Sequence, residues 1–181
     1  MSAFIRPFLP WIAYAVVGAV TDWRWGALAG LVLGGYQLLA LRRAGRGWDS
    51  AVIQVCSVVY FVLVAAVAFH DPHSSLHAYA RGASCLWLAA AAWGSLLLRR
   101  PFTLGIAKLD VPAQYWSSPA FYRVNAVVTT VWAAAFTITG LLLLALHGDT
   151  RPALAINIAG FVIPAVFTTR YTAAARARRD T

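Results

Sequence analysis

Six apolar stretches divide this chain, and its cations crowd into every second gap between them. The stretches run about 8–21, 26–41, 50–69, 75–98, 123–146 and 152–169. Arg6 precedes the first; Arg42, Arg43 and Arg46 follow the second; Arg99, Arg100, Lys108 and Arg123 follow the fourth; Arg170, Arg176, Arg178 and Arg179 follow the sixth. The alternate gaps or their borders hold one cation each: Arg24, Arg81 early in the fourth stretch, and Arg151. Connectors left on the cytoplasmic side of a bilayer retain cations, because carrying them across during insertion is unfavourable. Backbone polar groups in hydrocarbon must be satisfied internally, and runs this long without alternation suit helices rather than barrel strands. The expectation is an all-α polytopic membrane protein with six transmembrane helices and both termini cytoplasmic.

Composition agrees. Hydrophobic residues make up 61% of the 181 positions and charged residues 12%, against about 45–50% and about 25% in soluble domains. Six spans of about 20 residues consume about 120 positions, so residues 1–181 read as a single membrane domain. A net charge of +9 would point to nucleic acid in a soluble protein; here it meets anionic lipid headgroups, and no nucleic-acid partner is expected. All six acids are Asp, at positions 22, 49, 71, 110, 149 and 180, each in a gap or at a span end. The first stretch is followed at once by a charged, Trp-rich turn and a second apolar run, so it reads as a retained span rather than a cleaved signal. Cys56 and Cys85 both fall inside spans and read as small apolar side chains.

The first two spans are short for a core about 30 Å thick and are joined by a turn, Asp22-Trp23-Arg24-Trp25, suited to the headgroup layer. Trp48-Asp49-Ser50 reads as an interface anchor and N-cap of the third span. Pro164 is placed to bend the sixth span. The cytoplasmic connector 99–122, broken by Pro101, Pro112 and Pro119 and rich in aromatic residues, is expected to lie on the inner membrane face. The basic tail 173–181 is expected to rest on anionic lipid.

Four constellations could carry function. Gly26, Gly30 and Gly34 share one helical face, which lets another helix approach closely, either within the chain or in a second copy of it. Gln37, Gln54, Asn125 and Asn157 put amides inside spans, where they serve interhelical hydrogen bonding or line a polar groove for a small molecule or lipid. Apart from His77 and Arg81 near the start of the fourth stretch, no acid or base lies between the span ends, which argues against an energised pump. Asp71-Pro72 reads as a helix opening; a helix starting there would set His73 and His77 one turn apart, with His70 or Asp71 as further ligands, the pattern of a weak metal site. No resident metal or other cofactor is expected. Ser84 and Ser95 lack a nearby base, His147 and Asp149 sit in a short turn, and no nucleophile or phosphate-loop motif is present. No enzyme is expected and no catalytic residue is assigned.

One further likeness runs along most of the chain. Its marks are Phe8-Leu9-Pro10, Phe69-His70-Asp71, Arg99-Arg100-Pro101, Pro112 with Trp116, and Asn125, Trp132, Phe136 and Gly140. In this order and spacing the chain resembles the intracellular septation protein A family of bacterial inner-membrane proteins, or a related six-span family. It departs from the pattern at Ser117–Tyr122, which look inserted, and at His73 and His77, which stand where that family often carries charge. The resemblance implies a non-enzymatic protein of cell-envelope maintenance and septation, acting through other membrane proteins. Arg99, Arg100, Pro101, Pro112, Trp116 and Asn125 are then the residues of the inner loop that meet a partner or lipid. The alternative is a small-molecule or lipid transporter or channel built around the four amides.

Overall fold

A computed structural model describes residues 5–109, 111–146 and 150–177, without the side chains of 49, 150 and 151. Asp110, the His147–Asp149 pair, Arg178, Arg179 and Asp180, and the side chains of Asp49 and Arg151, therefore lie outside the described residues. Among the described residues every regular element is helical. A 3-10 turn, Arg6–Phe8, leads into α1 (Leu9–Val20) and then α2 (Trp23–Arg43). A second 3-10 turn, Trp48–Ala51, precedes α3 (Val52–His70), followed by α4 (Leu76–Leu97) and the short α5 (Phe102–Ala107). The 3-10 turn Ala113–Tyr115 then leads to α6 (Pro119–Ala145) and α7 (Thr150–Ala177).

Among the described residues three stretches are long and apolar enough to cross a membrane: Val52–His70, Pro119–Ala145 and Pro152–Ala177. The apolar helix Arg6–Val20 is shorter. Helices α2 and α4, with 21 and 22 residues, measure about 31 and 33 Å at 1.5 Å per residue. Their length suffices, but Arg24, Gln37 and Arg42 in α2, and Arg81 with Trp and Gly in α4, dilute their apolar character.

Several expected boundaries move. The turn between α1 and α2 is only Thr21-Asp22; Trp23, Arg24 and Trp25 are helical, because the Asp22 carboxylate accepts from the Arg24 backbone N–H at 2.9 Å and caps α2. The second span is therefore not short. Trp48, Asp49 and Ser50 form a 3-10 turn without a side-chain cap, rather than the N-cap of α3. Asp71 ends α3 instead of opening α4: its carboxylate accepts from the His73 N–H at 3.1 Å within a turn, and α4 begins at Leu76. α6 starts at Pro119, with the Ser118 hydroxyl accepting from the Phe121 N–H at 3.1 Å. The residues that looked inserted thus include the first turn of that helix.

The chain resolves into two compact units divided between Ala80 and Arg81. In the first, α2 packs between α1 and α3, around Tyr14, Trp23, Ala27, Tyr60 and Phe61. An added Cβ on Gly30 would meet the Phe61 ring, and one on Gly34 would meet Ser57 and Val58, which fixes an antiparallel register between α2 and α3. In the second unit, α6 is central and buries Asn125, Val128, Thr129, Trp132, Ala133 and Phe136. Its register with α4 is set by Gly82 against Leu144 and Gly140 against Leu86, and with α7 by Gly160 against Thr139 and Trp132 bonded to Thr168. Both pairings are antiparallel. Cys56 and Cys85 are not joined in a disulfide.

Candidate functional site

Each unit gathers most of its described cations at one end. In the first, the Gln37 amide donates to the Arg6 backbone carbonyl at 2.7 Å. That bond brings the chain before α1 level with the last turns of α2, where Arg42, Arg43 and Arg46 cluster. At the opposite end the Trp23 indole donates to the Pro72 carbonyl at 3.1 Å and its ring lies 5.3 Å from that of His77. The lone cation there, Arg24, is tied to Asp22 at 2.9 Å. In the second unit, the two antiparallel registers bring the end of α4 (Arg99, Arg100), the start of α6 (Arg123) and the end of α7 (Arg176) to one end, within about a turn of each other, while Arg81 lies at the opposite end near the level of Ala145.

The basic end of the second unit is a built structure. Helix α4 stops with Arg99 N–H on the Leu96 carbonyl (2.9 Å) and Arg100 N–H on the Ser95 carbonyl (2.8 Å). This double closure needs a left-handed residue between them, and Arg99 supplies it at φ 53°. Helix α2 ends the same way, with Gly45 at φ 68°. Pro101, buried, then turns the chain inward. The Ser95 hydroxyl accepts from the Phe102 N–H at 3.1 Å and donates to the Ala92 carbonyl, so Ser95 joins α4 to α5. The connector expected to lie on the membrane face is instead partly internal: Phe102, Thr103 and Ile106 are all below 5% exposed. Thr103 donates to the Asn125 carbonyl at 2.9 Å, which leaves the Thr129 hydroxyl as donor in their 2.8 Å contact. The Asn125 amide donates to the Phe121 carbonyl of its own helix at 2.9 Å.

Beyond α5, Pro112 is exposed and the Trp116 indole donates to the Val111 carbonyl at 2.8 Å, with Lys108 Nζ 5.2 Å over its ring. Trp116 forms one wall of a groove of about 790 Å³ along α6, lined also by Leu104, Tyr122, Arg123, Ala126, Val127 and Val131.

The other sequence candidates are placed as follows. Gly26, Gly30 and Gly34 are buried and face the same unit: a Cβ on Gly26 would lie 2.7 Å from the Tyr14 carbonyl oxygen, and one on Gly30 2.8 Å from Phe61. Gln37 and Gln54 occupy the next level of the α2–α3 register beyond Gly34 and Ser57, and both Oε1 atoms are buried without a donor among the described residues. The four amides fall two to a unit; Asn157 is half-buried on α7. His73 lies before the first turn of α4, so His73 and His77 do not share a helical face. With Asp22, Trp23 and Pro72 they line a cavity of about 380 Å³ at the non-basic end of the first unit. Among the described residues no group of three or more His, Cys, Asp or Glu is close enough to hold a metal. His70 is the last residue of α3.

Sequence reasoning missed a repeated device. Three indoles each donate to a hydroxyl that in turn donates to the carbonyl four residues back. They are Trp11 to Ser57 (2.8 Å) and on to Ile53, Trp93 to Thr137 (3.1 Å) and on to Ala133, and Trp132 to Thr168 (3.0 Å) and on to Pro164. Each link satisfies two polar groups at once, the Trp11 and Trp132 links within the helix packing and the Trp93 link on an exposed face. Hydroxyls four residues after a helical carbonyl were visible in the sequence; their indole partners, 36 to 46 residues away, were not. Compared with known proteins, the chain matches no family model, no curated protein and no solved structure.

Proposed function

We propose that this is a non-enzymatic protein of the bacterial cytoplasmic membrane that crosses six times with both ends inside. In this reading it serves envelope maintenance and septation, as its likeness to the septation protein A family implies, by offering its basic ends to protein partners and anionic lipid. The observation that carries the reading is the convergence of the basic connectors: within each unit they share one end, as a single cytoplasmic face requires. Self-satisfaction of the interior favours a scaffold over a passage, since the indole–hydroxyl links and the Thr103–Asn125–Thr129 cluster all close on the protein itself. A transporter reading draws on the two unpaired carbonyl oxygens of Gln37 and Gln54. Two experiments separate these readings. Replacing Arg99, Arg100 and Trp116 should abolish partner pull-down and alter cell shape while the protein still inserts. Replacing Gln37, Gln54, Asn125 and Asn157 by Leu should leave solute flux in liposomes at background before and after; flux that those changes remove would overturn the scaffold reading.

A further inference from the structure

Helix α6 is longer than a membrane is thick. Its 27 residues span about 40 Å, against a hydrocarbon core of about 30 Å. Its last residues, Leu141 to Ala145, are wholly apolar, whereas its first turns carry Tyr122, Arg123 and Asn125. The surplus length therefore belongs at the start, and Arg123 stands at headgroup depth. The groove follows the same gradient. From Pro119 to Val131 it covers about 18 Å of helix. Its upper part is lined by Trp116, Ser117, Tyr122 and Arg123, and its lower part by Leu104, Ala126, Val127, Val131 and Thr130, whose hydroxyl donates to the Ala126 carbonyl at 2.9 Å. Trp116 and Tyr122 are the residue types that settle at the boundary between headgroup and chain. Lys108 Nζ lies 5.2 Å over the Trp116 ring, a second basic residue beside that wall. Of the acids whose side chains are described, Asp22 pairs with Arg24 and Asp71 closes a turn on His73, so neither is held by Arg123.

We propose that this groove holds one anionic phospholipid, with its phosphate on the Arg123 guanidinium and one acyl chain along Ala126–Val131. A guanidinium offers a phosphate two parallel donors, and a soluble anion would leave the mainly apolar lower part of the groove unfilled. The site deepens the reading of α6 as a membrane crossing, but it is tested separately from topology. The full chain, purified in a neutral detergent, is titrated with phosphatidylglycerol, phosphatidylcholine or sodium phosphate while its melting temperature is followed, and bound lipid is counted by native mass spectrometry. Phosphatidylglycerol should raise the melting temperature saturably with one lipid retained; phosphatidylcholine should do so at least tenfold less well, and sodium phosphate not at all. Arg123→Gln should weaken phosphatidylglycerol about tenfold, the loss of one charge-assisted contact, and Arg123→Lys should recover part of it. Val127→Trp, which fills the groove from an incompletely buried position, should abolish the retained lipid in protein that elutes as the parent does; Arg46→Gln, in the first unit, should change nothing. Equal response to both lipids, an unaltered response in Arg123→Gln, or reproduction by phosphate alone would overturn the proposal. Such a failure would leave the crossing itself intact, since accessibility labelling tests that independently.

Discussion

Alanine substitutions along the glycine face of α2 should separate into two classes. Helix propensity alone makes Gly→Ala favourable by up to about 1 kcal/mol at each position. At Gly34 the new Cβ would meet Ser57 and Val58 at 3.5 Å, ordinary contact, and at Gly35 it would meet nothing within 4 Å. Both variants should be as stable as the parent or better. At Gly26 the Cβ would come within 2.7 Å of the Tyr14 carbonyl oxygen and 3.0 Å of the Gly18 backbone. Neither can rotate away, so α1 and α2 must separate. Overpacking of this kind costs about 1–3 kcal/mol, more than the propensity gain. At Gly30 the obstacle is the Phe61 ring at 2.8 Å, itself wedged 4.8 Å from Trp11 and 5.4 Å from Tyr14, so it too should lose stability. Thermal melts of the four detergent-purified variants should place Gly26→Ala and Gly30→Ala below the parent by several degrees, on the scale of about 2–4 °C per kcal/mol. Gly26→Ala melting with Gly34→Ala would refute the close packing of α1 on α2.

Arg99→Gly should stabilise the protein by about 1 kcal/mol, because Arg99 holds a left-handed conformation that glycine adopts freely; a melt unchanged or lowered would count against the helix ending described. Thr168→Val removes the acceptor of the buried Trp132 indole and should cost about 0.6–1.7 kcal/mol, the range for such bonds between membrane helices, with a parallel change in tryptophan fluorescence. The Arg24 backbone N–H, then its guanidinium, hold the Asp22 carboxyl below the ordinary carboxylate value. The folded state therefore binds that proton less tightly than the unfolded one. The stabilisation is complete above the ordinary value and is lost as pH falls through the lowered one. Melting temperature should fall on acidification through that window, and less steeply in Asp22→Asn; equal slopes would remove Asp22 from the account.

What the sequence disclosed and what it hid differ in range. The six apolar runs each became a helix, because an uninterrupted apolar run has no other way to satisfy its backbone. Ends were harder. Asp22 caps a helix that opens on Trp23-Arg24-Trp25 and Ser118 one that opens on Pro119-Ala120-Phe121, neither a plain apolar run, so composition hid two short-range signals that were present. Asp71-Pro72 carried the same kind of signal and misled: that carboxylate closes a turn on His73, and Ser74 and Ser75 lie between it and α4. The Pro-flanked segment at Phe102–Ala107 has too few residues for periodicity to distinguish a helix lying on a membrane from one folded inward. The indole–hydroxyl pairs depend on which helices become neighbours, which no local pattern encodes. The facing of Gln37 and Gln54 has the same origin, since it follows from the register that Gly30 and Phe61 set.

Sidedness of the connectors is the claim everything else leans on. In a protein with Cys56 and Cys85 replaced by Ala, single cysteines at Ser74, Gly45 and Ala113 can be challenged with a membrane-impermeant maleimide in intact spheroplasts and again after permeabilisation. Immediate labelling at Ser74, with Gly45 and Ala113 reacting only once the membrane is opened, is the expected result. Labelling of Gly45 or Ala113 from outside, to the same extent as Ser74, would contradict the account.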